Sequence, residues 1–118
     1  MNLLEVGYHW APRTHRGLIR AKGLLTNQRG LSSPELRWPW VCLGPAPRAA
    51  WSISGDMDWA QEIQFWDLWQ VELSPSDDIR LRNDGGQRII EIRVHNTIPP
   101  DRVWWVGERE PWVVEEES

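Results

Sequence analysis

The chain has 118 residues and carries 17 acidic side chains against 13 basic ones, a formal charge of −4. That length suits one domain, and the charge gives the whole molecule no attraction to a nucleic acid backbone. The single cysteine, Cys42, excludes an internal disulfide and leaves no Cys/His set for a structural zinc site, so a reducing, cytoplasmic setting is expected. No stretch approaches the roughly 18 apolar residues of a membrane-crossing helix, and "MNLLEVGYHW" lacks a basic start before a long apolar run.

In chain order, "LLEVGYHW" predicts a first strand with Leu4, Val6 and Tyr8 on one face and His9 near its end. Pro12 then suits a first helical turn, and "RTHRGLIRAKG" predicts a helix stopped by Gly23. "LLTNQRGLSSPELRWP" has no sustained period and reads as a loop. "WVCLG" predicts a short buried strand ended by Gly44, and "PAPRAAWSISGD" a brief helix closed by Gly55.

"QFWDLWQVEL" places Phe65, Asp67, Trp69, Val71 and Leu73 on one side and Trp66, Leu68, Gln70 and Glu72 on the other. Apolar residues on both faces predict a central strand. "SPSDD" predicts a turn, "IRLRN" a short strand, and "DGG" a hairpin or bulge before "RIIEIRV". In that last strand Ile90, Ile92 and Val94 alternate against Ile89, Glu91 and Arg93, which sets a carboxylate beside an isoleucine. "NTIPPDR" forces an extended bend before a final strand, "VWWVGE". Early helices followed mainly by strands give an α+β class, and "VVEEES" reads as an acidic tail.

Ten tryptophans stand against one tyrosine and one phenylalanine. Each can bury about 150–250 Å², so most are expected in the core. Trp38 and Trp40 in "RWPWV", with Trp104 and Trp105, are the candidates for a groove where a ring stacks on a base. Twelve basic residues are arginine and only Lys22 is lysine, which fits a GC-rich genome as well as phosphate or carboxylate recognition.

Dinucleotide-fold, P-loop, metalloprotease and serine-hydrolase signatures are all absent. Candidate chemistry therefore rests on single residues. Of the three histidines, His15 reads as a solvated helix residue, His95 as a turn residue, and His9 as one that frames a ligand at a strand end. A strand-end histidine is also easily satisfied by backbone, and a strand carboxylate such as Glu91 commonly faces solvent.

The order "YHW", "AKGLL", "PWVCLGPAPRAAW" and "EIRV…IPPDRVWWVG" resembles the small ADP-ribosyltransferase-like fold. The likeness is to the DarT-type DNA ADP-ribosyltransferases especially and, more distantly, to the RNA 2′-phosphotransferases. It spans most of residues 4 to 107 and implies a split β-sheet core with two or three short helices, one domain over residues 1–112 and a tail over 113–118. It further implies that His9 contacts a ribose of NAD and that Glu91 is the catalytic glutamate, stabilising an oxocarbenium-like centre as nicotinamide leaves. Trp10 stands where those families often carry Thr, Ser or Gly. No middle-motif tyrosine or Ser-Thr-Ser is present; Ser52 and Ser54 are the nearest hydroxyls, and Trp51 and Trp10 are the candidate rings for stacking on the nucleotide. Arg13 and Arg48 are candidates for the diphosphate.

The function implied is NAD-dependent mono-ADP-ribosyl transfer to a nucleic acid or protein, in a toxin or a phage–host conflict system, with no metal. The alternative is a binding module without turnover that holds a nucleotide or a partner protein in the same tryptophan-lined cleft. Transfer of a 2′-phosphate from RNA to NAD is less suited, because the acidic balance and scattered arginines offer no basic cluster for that phosphate.

Overall fold

A computed structural model describes residues 5–26, 28–29, 37–54, 65–83, 85–86 and 88–109. The architecture is α+β: two three-stranded antiparallel sheets with a few short helices. The first sheet runs β1 (Val6–Pro12), β5 (Trp66–Glu72), β8 (Val103–Arg109), with β5 in the middle. The second runs β4 (Val41–Leu43), β7 (Ile89–Val94), β6 (Ile79–Asn83), with β7 in the middle. Between the first helix and β4, β2 (Gln28–Arg29) and β3 (Arg37–Trp38) form a two-residue antiparallel ladder. The sequence there reads as a loop because two residues are too few to show a period.

Both faces of β5 carry packed apolar residues, as its alternation predicts, while Gln70 and Glu72 leave its outer face open toward the strand's end. Trp69, Val71 and Leu73 join Val103, Leu43, Ile92 and Val94 in the core shared by the two sheets. Trp66 and Leu68, on the other face, pack with Tyr8 and Trp10 and with Ala50 and Trp51 of α2 (Pro47–Ser54). Pro47 opens α2, where its missing N–H and fixed φ carry no penalty. Trp51 meets Trp10 edge-on at 5.1 Å and Trp66 at 5.4 Å between ring centroids, the geometry the ring quadrupoles favour. Gly55 lies outside the described residues.

Among the described residues one backbone bridge joins the two sheets. Tyr8 and Gly44 exchange backbone hydrogen bonds of 2.9 and 2.8 Å, which places β4 against β1 there. A Cβ at Gly44 would sit 2.4 Å from the Ala50 nitrogen, so glycine allows α2 to lie directly on this seam.

β1 extends beyond the predicted boundary. Trp10, Ala11 and Pro12 pair with Leu68, Asp67 and Trp66, so His9 is mid-strand rather than at the strand end. Proline is tolerated at the last position of a strand with one open edge. A 3₁₀ turn (Arg13–His15) then leads into α1 (Arg16–Lys22), which Gly23 ends at φ 79°. Leu24 pairs with Ile98 and ties the helix end to the bend before β8.

Two bulges alter the alternation. Between Glu91 and Ile89 the β6 register advances by one residue while β7 advances by two, leaving Ile90 extra. Ile89 thereby turns back and packs on the shared core, so Glu91 does not share a face with Ile89 as simple alternation predicts. A second extra residue, Val106, falls between Trp105 and Gly107 in β8.

Candidate functional site

The candidate site is the fork where β1 and β4 part. Leu43 pairs with Ile92 of β7 while Gly44 bonds to Tyr8 of β1, so alternation aims the carbonyl of Cys42 at β1. The next β1 backbone group does not meet it. The imidazole of His9 does instead: Nδ1–H donates to that carbonyl at 2.9 Å. The bond fixes the neutral tautomer and leaves Nε2 as the ring's acceptor. Burial pushes the His9 pKa down, the hydrogen bond to Cys42 opposes it in part, and His15 adds a small repulsion, so the ring is uncharged at neutral pH.

On the side chain of the same cysteine the second candidate appears. Strand alternation puts Cys42, Glu91 and Arg93 on the face away from Leu43 and Ile92. Glu91 is only 5% exposed. Arg93 Nε donates to its Oε1 at 3.0 Å, and Arg82 approaches the same oxygen at 3.7 Å. Both arginine contacts fall on Oε1, and among the described residues none ion-pairs with Oε2. The Cys42 thiol donates to the carboxylate and accepts the Trp40 indole N–H at 3.1 Å. Burial first, and then the Glu91 charge, push the thiol pKa up to about 12. The guanidinium of Arg93 lies 4.4 Å over the Trp40 ring, which also meets His95 at 5.4 Å. Trp40 thus packs against a cation, and the side chain of Trp38 lies outside the described residues.

His9 and Glu91 therefore both end on Cys42, one at its carbonyl and the other at its thiol. His9 shares its strand face with Gly7 and Ala11, toward the core between the sheets, whereas Glu91 is on the opposite face. The other candidates are not at this fork. Trp10 and Trp51 are buried, and the Trp10 indole donates to the Pro47 carbonyl at 2.9 Å; their rings secure α2. Arg13 pairs with Glu108 and lies 4.1 Å over the Phe65 ring. Arg48 is on the exposed side of α2. The side chains of Ser52 and Ser54 lie outside the described residues, as does the acidic tail.

A second polar cluster was not singled out by the sequence. Asp67 is fully buried, and Arg16 grips both its oxygens at 2.9 and 2.6 Å while the Trp105 indole donates to Oδ1 at 2.9 Å. Burial alone would raise this carboxyl; the hydrogen bonds from Arg16 and Trp105, with the charges of Arg16 and Arg13, outweigh it and hold the pKa low. The available signal was an aspartate inside a strand with two apolar faces, a position that requires a buried partner. Asp77, read only as part of a turn, likewise holds Arg102 by two bonds of 2.9 and 3.0 Å and accepts from the Ser74 backbone and Asn96. Among the described residues no group of three His, Cys, Asp or Glu side chains is arranged to hold a metal, and no helix is long and apolar enough to cross a membrane. Neither the family models nor the curated proteins compared with this chain match it.

Proposed function

We propose that the chain is an ADP-ribosyltransferase-like protein that takes NAD and passes ADP-ribose to a nucleic acid or protein acceptor, with Glu91 as its working carboxylate. The observation that supports this reading is the buried carboxylate of Glu91, whose arginine contacts both fall on one oxygen, beside Cys42, while His9 reaches the carbonyl of the same Cys42 from the other face. In the proposed reaction the bond between the ribose C1′ and the nicotinamide nitrogen breaks, and nicotinamide leaves with the electron pair. The acceptor's nucleophile bonds to C1′, and its proton passes to Glu91.

Two properties of the site suit that chemistry. The arginine contacts of Glu91 among the described residues fall on Oε1, and in the proposed reaction Oε2 accepts from a ribose hydroxyl in place of the Cys42 thiol and offsets positive charge at C1′. A neutral imidazole with Nδ1–H already engaged presents Nε2 as an acceptor for another hydroxyl. Trp10 and Trp51 fit less directly: their buried rings support the site through α2 rather than by stacking on the dinucleotide. A reducing cytoplasm suits the free thiol of Cys42, and a role in a toxin or phage conflict system is consistent with the chemistry.

The test is nicotinamide release from NAD by the wild type and Glu91→Gln, with NAD binding followed separately by calorimetry. Expected is a loss of about 10²–10⁴ in rate with binding retained. A wild-type protein that neither binds nor cleaves NAD overturns the proposal.

A further inference from the structure

The outer face of the first sheet is only half covered. Tryptophans of β1 and β5 lie under α2 at one end. At the other end an open groove of about 810 Å³ runs across the sheet between Glu5, Glu72, Gln70, Trp104 and Val106. Trp104 is 46% exposed, as is Val106, and Trp105 beside them is 39% exposed. Trp105 is engaged by Asp67 and Arg16, whereas Trp104 and Val106 stand exposed along the groove.

The same residues belong to an open edge. β8 pairs with β5 on one side, and among the described residues no strand pairs with the other. Open edges are commonly blunted by charged side chains, proline, bulges or short length, and in β8 the bulge at Val106 and the charged Glu108 and Arg109 fall in its second half. β8 has seven residues, contains neither lysine nor proline, and places its tryptophans in the half before the Val106 bulge. That half is a template for one more extended chain, and the groove is where the added chain's side chains would reach.

Charge specifies the occupant. Glu5 and Glu72 flank the groove, and among the described residues no basic side chain lines it. Arg102, which reaches the Glu72 backbone carbonyl, spends the rest of its guanidinium on Asp77. Two exposed carboxylates beside an exposed indole face form a receptor for lysine or arginine, through ion pairing and through attraction of the cation to the ring.

We propose that this surface docks a basic, extended segment of a partner protein, which adds as a strand to the open edge of β8 and lays its lysine or arginine side chains in the groove. The site is separate from the His9–Cys42–Glu91 fork and does not depend on any reaction there.

The experiment is fluorescence anisotropy of a labelled peptide alternating lysine and valine, titrated with the full chain, beside a peptide carrying glutamate for lysine. The basic peptide is expected to bind and the acidic one not to. Added salt should weaken binding, and Trp104→Ala or Glu72→Lys should each weaken it by about tenfold. Circular dichroism checks that both variants remain folded, which their exposure favours. Equal binding of the two peptides, or unchanged binding by both variants, overturns the proposal. So does concentration-dependent self-association lost in Arg80→Glu/Arg82→Glu, because the groove would then hold the basic edge strand β6 of a second copy.

Discussion

Asp67 and Glu91 are both buried acids on the middle strand of a three-stranded sheet, and each has arginine for company. Asp67 has both oxygens gripped by Arg16 and a third donor from Trp105. Glu91 receives its ion pairs on one oxygen, from an Arg93 that also lies on Trp40 and an Arg82 that is largely exposed. A carboxylate with all its acceptors engaged by its own fold is a structural tie. One with an oxygen outside the ion pairs retains capacity for a ligand. The difference separates a residue that holds β1, β5 and β8 to the first helix from one suited to chemistry.

The same type of substitution in the two places sharpens the contrast. Asp67→Asn leaves Arg16 facing an amide and breaks a buried pair, at an expected cost of about 3 kcal/mol. That is a fall in melting temperature of roughly 10 °C for a domain of this size, read by thermal unfolding followed by circular dichroism. A loss below about 1 kcal/mol would remove Asp67 from its structural role.

Acid should act next. The folded pKa of Asp67 and of Asp77 lies below the unfolded value, so over that interval the unfolded chain binds more protons. Their contribution is complete above about pH 4 and is lost as pH falls through the folded values. His9 adds a separate window. Its folded pKa is also depressed, so its neutral form stabilises the protein fully above about pH 6.5, and that contribution is lost as pH falls below it. Urea unfolding measured between pH 7 and pH 5 should show declining stability, and His9→Asn should flatten the decline. An unchanged slope in the variant would assign the decline to other groups.

Glu91→Gln should cost only about 1 kcal/mol, since Arg93 keeps an amide oxygen to donate to and its stacking on Trp40 is untouched. A penalty matching that of Asp67→Asn would make Glu91 the same kind of tie and erase the contrast. The smallest effect concerns the thiol. Removing the Glu91 charge lowers the Cys42 pKa, so alkylation by iodoacetamide near pH 8 should accelerate by up to about tenfold, with desolvation holding the remainder of the shift in place.

Much of the fold was legible because it is written in short-range pattern. The two-sided apolar alternation from Trp66 to Leu73 identified a central strand, and the glycine after Lys22 marked a helix end that it occupies at positive φ. Glu91 and His9 were visible as residues out of keeping with their strands. The chemistry around them was not visible, because Cys42, which joins them, is 33 residues from His9 and 49 from Glu91.

Ile89 shows the limit of pattern most sharply. Strict alternation places it with Glu91, and one extra residue in β7 turns it into the core. A bulge is decided by the register against a neighbouring strand, which no local window contains. Arg16 and Asp67 show the same limit in charge, since an arginine in a helix and an aspartate in a distant strand become partners only when β5 lies beside β1.

By itself, then, the sequence determined the α+β class, the central place of β5 and the helix end at Gly23, because periodicity, proline and glycine act within a few residues of themselves. Only the tertiary structure decided which acid is saturated, which tryptophans are buried under α2 and which stand open at β8, because pairing, burial and electrostatic neighbours belong to segments brought together from far along the chain.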